Sequence, residues 1–213
     1  KGTTDVNLEL KGRMEEAVSK PNLSIGVKVR DGQIASKQFA DTPIKDMSAR
    51  MALKLPGLNP DSLNINITDF AFKLGEGFAK GHALYRYPTY VDAGMEAQLD
   101  ITRLWKTLAI EGMQLKGNLQ LKADLEGAYT TTSVTTKKGN TYNNITSVPH
   151  FDIDASWKNG YFKWKEMPMA VDQLSFDLKA VNRDGNYKHT KLDVRNLDAR
   201  AGKNFVNGMF SVQ

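Results

Sequence analysis

Cysteine is absent from this chain of 213 residues. Its absence excludes a disulfide framework, catalysis by a thiol and zinc sites built on cysteine ligands. Also absent is any apolar run near the roughly 20 residues that a membrane-spanning helix requires. The 29 basic and 24 acidic residues are interleaved with no basic block, whereas a nucleic-acid-binding surface concentrates lysine and arginine. We therefore expect no nucleic-acid partner, and membrane contact only through parts of a longer protein outside these residues.

Catalytic and metal-binding patterns are missing as well. His82, His150 and His189 are far apart in the sequence, and none stands at metal-ligand spacing from another histidine or carboxylate. Asp152 and Asp154 could form a carboxylate pair, but they also fit the solvent side of a strand, and no further oxygen-rich position follows them. The chain has no nucleophile-elbow motif. We expect no enzymatic activity, no catalytic residues, no cofactor and no metal.

What the sequence does contain is an internal repeat. Gly75-Glu-Gly-Phe-Ala-Lys-Gly81 returns as Gly202-Lys-Asn-Phe-Val-Asn-Gly208, which we call the G-x-x-F-x-x-G motif. Strand-like sequence follows both copies, so the motif predicts a turn and a close approach of backbones and not a phosphate loop, which must open a helix. We predict a first repeat unit at residues 1–112 and a second at 113–213. The second carries a polar loop insertion at 130–147.

Alternation of apolar and polar residues dominates both units and predicts strands with one apolar face. Residues 113–125 alternate without a break. Late in each unit the apolar phase slips by one residue, which predicts bulges and a curved sheet. One segment, residues 100–109, has helical spacing and a capping Asp100 or Thr102. The predicted fold is mainly β: a curved antiparallel sheet of two tandem units, either a β-groove or an incompletely closed sandwich, with one short helix between units.

The dipeptides Asp31-Gly32 and Asn159-Gly160 predict two-residue hairpin turns, because both residue pairs tolerate positive φ. The second of them stands among aromatic residues. These could form an exposed tip that stacks on glycans or a membrane interface, or they could pair across the hairpin as ordinary cross-strand aromatics. The residues of this possible aromatic tip are Trp157, Tyr161, Phe162 and Trp164.

The chain resembles the AsmA family of bacterial envelope proteins. The resemblance is carried by Asp100-Ile-Thr-Arg-Leu-Trp105-Lys-Thr-Leu108, by the following Gly112-Met-Gln-Leu-Lys-Gly117-Asn-Leu-Gln-Leu, and by Tyr87-Pro88-Thr-Tyr-Val91-Asp-Ala93 before them. The G-x-x-F-x-x-G turn followed by a strand is also typical of the family. This chain would be an internal or C-terminal segment of such a protein.

The resemblance implies a repeating β-groove, as in the similar TamB-like proteins, whose apolar lining shields lipid acyl chains. It implies a non-enzymatic lipid-binding or lipid-transfer role in outer-membrane lipid homeostasis, and a periplasmic location with the full-length protein anchored to the inner membrane. The implied partners are phospholipid or another acyl-chain lipid and neighbouring repeat units of the same chain. The expected lining is Leu8, Leu10, Met47, Met51, Leu53, Ile65, Ile67, Met95, Leu99, Leu115, Leu119, Leu121, Leu174, Phe176 and Leu178.

Two alternatives stay open at the level of sequence. Alternation buries the same residues in a filled sandwich core as in an open groove, so it does not separate the two. The alternative function is a structural or adhesin-like β-sandwich that binds protein or glycan through the aromatic residues near Trp164.

Overall fold

Strands joined to their neighbours in chain order make up most of the molecule. The computed structural model describes residues 1–13, 20–35, 43–108, 112–135 and 141–212. One α-helix, α1 (Ile101–Leu108), and three 3-10 turns (Pro56–Leu58, Pro60–Ser62 and Tyr187–His189) interrupt the strands of this part. The strands are β1 (Thr3–Lys11), β2 (Asn22–Ile34), β3 (Ile44–Leu55), β4 (Asn64–Leu74), β5 (Gly77–Arg86), β6 (Tyr90–Asp100), β7 (Met113–Ala128), β8 (Thr130–Thr135), β9 (Thr141–Ser147), β10 (His150–Trp164), β11 (Val171–Asn182), β12 (Lys191–Ala201) and β13 (Asn204–Val212).

Eleven of these strands form one antiparallel sheet in the order β1-β2-β3-β4-β5-β6-β7-β10-β11-β12-β13. Every strand pairs with its neighbour along the chain, except that β7 pairs with β10 across an inserted hairpin. The sheet does not close, so β1 and β13 are its two edges. The prediction of a mainly β, antiparallel sheet with one short helix is confirmed.

The segment predicted as a polar loop at 130–147 instead contains a β-hairpin, in which β8 pairs with β9. Residues 136–140 of that prediction lie outside the described residues. Threonine, valine and isoleucine favour extended backbone, and this preference outweighs the polarity that suggested a loop. Hydroxyl groups pair across the hairpin: the Oγ1 atoms of Thr130 and Thr146 are 2.7 Å apart. The Oγ of Ser133 donates to Oδ1 of Asn143 at 2.9 Å.

The two sequence copies occupy strands in the same order, the first on β1 to β5 and the second on β7 and β10 to β13. Even the connections correspond. Asn59 begins the 3-10 turn before β4 and its Oδ1 accepts a hydrogen bond from the Asp61 N–H at 3.0 Å. Asn186 does the same before β12, accepting from the Lys188 N–H at 3.1 Å. Strand β6 and helix α1 lie between the copies.

Bulges interrupt the pairing where the apolar phase slips. Register shifts occur between Ile67 and Phe70 in β4 and between Val194 and Leu197 in β12, as the sequence predicts. Each adds a residue to one strand of a pair, which bends the strand and increases its twist. The sheet is therefore curved.

The prediction of hairpin turns at Asp31-Gly32 and Asn159-Gly160 is wrong. Both dipeptides lie inside long strands, β2 and β10, at register shifts in their pairing with β3 and β11. Asp31 and Asn159 have φ of 51° and 53°. A bulge residue and a hairpin-turn residue can both require positive φ, so the same dipeptide suits either structure.

Helix α1 follows β6 directly and packs on β7. The Oδ1 of Asp100 accepts a hydrogen bond from the Thr102 N–H at 2.9 Å, so the predicted capping residue is confirmed. The indole Nε1 of Trp105 donates to the Met113 carbonyl at 2.9 Å. Ile101 on this helix belongs to a buried cluster with Leu74, Ala79, Ala97 and Leu99.

Few other apolar side chains are buried. Among the described residues, Ala180 and Val194 complete the set. The accessible surface is 14661 Å², whereas a compact protein of 23.7 kDa would expose about 9,800 Å². A sheet without a second layer has this excess, because one whole side that a sandwich would bury stays accessible to solvent.

The glycines of the G-x-x-F-x-x-G motif have two separate roles. Gly75 and Gly202 have φ of 60° and 61° in the turns before β5 and β13, a backbone region that favours glycine. Gly81 on β5 is needed for a different reason: a Cβ there would lie 2.1 Å from the Gly94 carbonyl oxygen on β6. The equivalent Gly208 on β13 has nothing within 4 Å of that position.

We predict that Gly81→Ala lowers the free energy of unfolding by about 1–3 kcal/mol, because the added methyl group collides with the backbone of β6. Gly208→Ala is the matched control, and we expect it to change stability by no more than about 0.5 kcal/mol. Urea unfolding followed by circular dichroism measures both. Equal effects of the two substitutions would contradict the close approach of β5 and β6.

We also predict that Leu74→Ala lowers the free energy of unfolding by about 2–5 kcal/mol in the same urea measurement. Leu74 is only 1% exposed, and its truncation leaves a cavity under α1. The control is Leu8→Ala on edge strand β1, where the side chain is 65% exposed. A loss as large in the control would show that the cluster beneath α1 is not the centre of stability.

Candidate functional site

One face of the eleven-stranded sheet is apolar from edge to edge, and we call it the apolar face. Directly paired residues lie on the same face, so the register defines it. One row runs from Leu8 through Ile25, Leu53 and Ile65 to Tyr85. A row in the other half runs from Leu99 through Leu119 and Trp157 to Phe176.

All fifteen residues predicted as lining lie on the apolar face. Their exposure varies with position. Leu8 and Leu10 on the edge strand are 65% and 56% exposed, and Met95 near the middle of the sheet is 37% exposed. Leu99 is 7% exposed because it lies in the cluster near α1, and the remaining members are half-buried.

Helix α1 covers only one part of the apolar face. It packs over β7 and the end of β6, near Leu99 and Leu115. The Gly117 N–H donates to Oγ1 of Thr102 at 3.3 Å, which fixes the helix to β7. In the described part of the chain, no other element packs over this face. Within these described residues, the strands on both sides of the helix have no covering element.

The opposite face is polar and is ordered by charge, and we call it the polar face. Six neighbouring strands place residues of alternating sign in one row across the sheet. Lys80 Nζ lies 2.9 Å from a Glu96 carboxylate oxygen, and Lys179 Nζ lies 3.0 Å from one of Asp154. Opposite charges in directly paired positions favour this register. The complete row is Lys80, Glu96, Lys122, Asp154, Lys179 and Asp193.

A depression of about 620 Å³ lies on this polar face, over β5 to β12. Its carboxylates are already engaged: Asp154 pairs with Lys179, and Asp193 accepts from Arg195 at 2.9 Å. A general base needs an available carboxylate within reach of a substrate, and these pairs occupy the ones that line the depression.

Asp177 has the most strongly perturbed carboxyl group of this depression. Its oxygens accept hydrogen bonds from Ser156 Oγ and Asn196 Nδ2, both at 2.6 Å, and pair with Lys158 at 2.9 Å. The Ser156, Asn196 and Lys158 donors hold the pKa of Asp177 well below its usual range. Ser156 and Lys158 lie on β10 and Asn196 lies on β12, on either side of Asp177 on β11. The cluster therefore joins β10, β11 and β12.

The four aromatic residues near Asn159-Gly160 do not form a tip, and that prediction is corrected. They lie along β10, where the bulge continues the strand. Trp157, Phe162 and Trp164 point to the apolar face and Tyr161 to the polar face. Trp157 meets the ring of Phe176 on β11 edge-on at 6.0 Å, so its aromatic partner lies outside the group and not across a hairpin within it. The bulge reverses the alternation within this group of residues.

The structure places His82 and His189 beside two different aspartates. His82 lies 3.4 Å from Asp92, and His189 lies 2.6 Å from Asp184, whose pKa this contact lowers. Across the described ranges, no three histidine, aspartate or glutamate residues cluster as metal ligands. Within the same ranges, no helix has the length and apolarity required to cross a membrane.

Comparisons with known proteins identify no relative: no family model, no curated protein and no solved structure matches this chain. The candidate site therefore rests on the chain's own geometry. What the sequence alone does not reveal is the position of α1 on the apolar face and the row of charges on the polar face. Both depend on which strands are neighbours in the sheet, and the sequence alone does not show this.

We predict that the Asp177→Asn variant loses less free energy of unfolding on acidification than the unmodified protein does. Because the folded-state pKa is lowered, the carboxylate contributes stability above the ordinary aspartate pKa of about 3.9. That contribution is lost as the pH falls below this value towards the folded-state pKa. Urea unfolding from pH 6 to pH 2 should show a smaller loss in the variant, with other carboxylates cancelling in the comparison. Parallel stability curves would contradict the role of Asp177.

Proposed function

We propose that this protein is a non-enzymatic lipid-binding segment whose apolar face holds acyl chains. The observation that carries the proposal is an apolar face that crosses eleven strands and that, among the described elements, only α1 partly covers. Ten gaps of ~4.8 Å between strands give this face a length of roughly 48 Å. Soluble monomers seldom expose contiguous apolar patches above a few hundred Å², and larger ones usually mark an interaction site.

The chemistry of the face suits acyl chains. An acyl chain has no hydrogen-bonding groups to satisfy, and the rows of leucine, isoleucine, methionine and alanine offer none. A sheet with one apolar and one charged face also keeps the protein in solution while the lipid is shielded on the other side. Met51 and Met95 add flexible side chains that adapt to irregular ligands.

The cellular setting of the proposal follows from the AsmA-like sequence. We propose an envelope location in the periplasm, with anchoring to the inner membrane through other parts of the full-length protein. There the apolar face would take part in outer-membrane lipid homeostasis by binding or transferring phospholipid. Neighbouring repeat units would lengthen the same face. The geometry favours the glycan-binding alternative less, because Tyr161 lies on the polar face while Trp157, Phe162 and Trp164 lie on the apolar face.

We predict saturable binding of a phosphatidylethanolamine with a fluorescent acyl chain. Met95→Glu should weaken binding by about fivefold or more, because a charge placed among acyl chains costs about 1–3 kcal/mol. Met95 is already 37% exposed, so the sheet should stay folded. Native mass spectrometry of gently purified protein should also show co-purified phospholipid.

The control for that experiment is Gln98→Glu, which adds the same charge to the same strand on the polar face. Its binding should equal that of the unmodified protein. A protein that binds no lipid in either assay would refute the proposal, and so would equal weakening by both substitutions.

A further inference from the structure

Edge strand β13 lacks the protection that exposed strand edges normally carry. It contains no charged residue and no proline. Natural edge strands avoid pairing with other strands through charges, prolines or bulges. The opposite edge, β1, carries Asp5, Glu9 and Lys11, so the two edges differ in kind.

Both sides of β13 carry accessible apolar side chains. On the apolar face Val206 is 58% exposed, and on the polar face Phe205 and Met209 are 79% and 81% exposed. At this exposure the Phe205 ring is not packed against the sheet. With this composition, β13 resembles an interior strand of a sheet more than an edge strand.

The internal repeat identifies that neighbour. Strand β13 corresponds to β5 through the G-x-x-F-x-x-G motif, and β5 pairs with β6. Gly81 on β5 must be glycine because of the Gly94 carbonyl on β6. Gly208 stands at the equivalent position, yet nothing approaches it. Nothing near Gly208 in the structure requires a glycine. A strand of the β6 type lying against β13 would explain it.

We propose that β13 is a docking edge for an extended antiparallel strand with the chemistry of β6, supplied by another repeat unit. The pairing of β5 with β6 defines its register. Asn207 would lie opposite the position of Glu96, Met209 opposite that of Gly94, and Ser211 opposite that of Asp92. The small Gly94 position leaves room for the Met209 side chain, and no like charges meet.

The direction of the docked strand also follows from the fold. Because the sheet has an odd number of antiparallel strands, β1 and β13 run the same way. A second copy stacked in the same orientation would pair β1 with β13 in parallel, against the pattern of the whole sheet. One intervening strand of β6 type restores the alternation, since β6 lies antiparallel to both β5 and β7.

This inference rests on the proposed function in one respect: the docked strand would extend the apolar face. Strand docking is nevertheless measured on protein free of lipid. Failure of docking would leave the lipid-binding result unchanged, and failure of lipid binding would leave docking unchanged.

The absence of cysteine allows a direct test by disulfide trapping. The protein carries Ser211→Cys, and the probe is a synthetic peptide with the sequence of residues 90–100 and Asp92→Cys. Paired positions on antiparallel strands lie within disulfide range. Because docking raises the local thiol concentration, we expect trapping at least about tenfold faster than with a peptide carrying Val91→Cys, which is out of register.

Gly208→Val, added to the Ser211→Cys protein, is the structural control. The valine has open space in the isolated protein, so the fold should persist, but it should block the close approach and abolish the difference between the two peptides. Equal trapping of both peptides would overturn the proposal. A protein that dimerises through β13, detected by light scattering and by self-linking of a Gly208→Cys variant, would overturn it in favour of a second copy.

Discussion

Pairing between adjacent strands is the interaction on which this structure depends. In the described part of the chain no second sheet packs against the large one, so a strand gains its stability from the strand on either side and from little else. The stability of such a molecule is approximately the sum of the contributions of neighbouring strand pairs, as in a one-dimensional array. The cluster of Leu74, Leu99 and Ile101 beneath α1 is the exception, since there a helix adds a true second layer. It lies at the junction between the two sequence copies, where β6 and β7 meet.

The two faces contribute differently to the register between strands. On the polar face, the row from Lys80 to Asp193 favours one register, because a slip by one residue would replace paired charges with apolar side chains. On the apolar face, no side chain has a charge to match, so that face contributes little to register and is free to accommodate a ligand. Asp177 joins three strands at the point where bulges loosen the ladder.

Much of this could be predicted from the sequence, because period-two alternation reports directly which side of a strand each residue occupies. All fifteen lining residues share a face for that reason, and the slips at Phe70 and Leu197 mark bulges. The sequence misled where one conformational requirement has two structural uses. Asp31 and Asn159 need positive φ in a bulge as they would in a turn, so local chemistry could not choose. Strand order, and with it the charge row and the position of α1, depends on contacts between distant residues.

The hairpin of β8 and β9 shows how tolerant this architecture is of change. It is inserted between β7 and β10, yet those two strands remain paired from His150 opposite Glu126 to Trp164 opposite Met113. A globular core would have to repack around such an addition, whereas here the extra strands form a separate small sheet at the margin. Length is therefore a nearly independent variable in a protein of this kind. Duplication of a few strands enlarges the sheet without redesign of what is already folded, and selection can adjust its span in small steps.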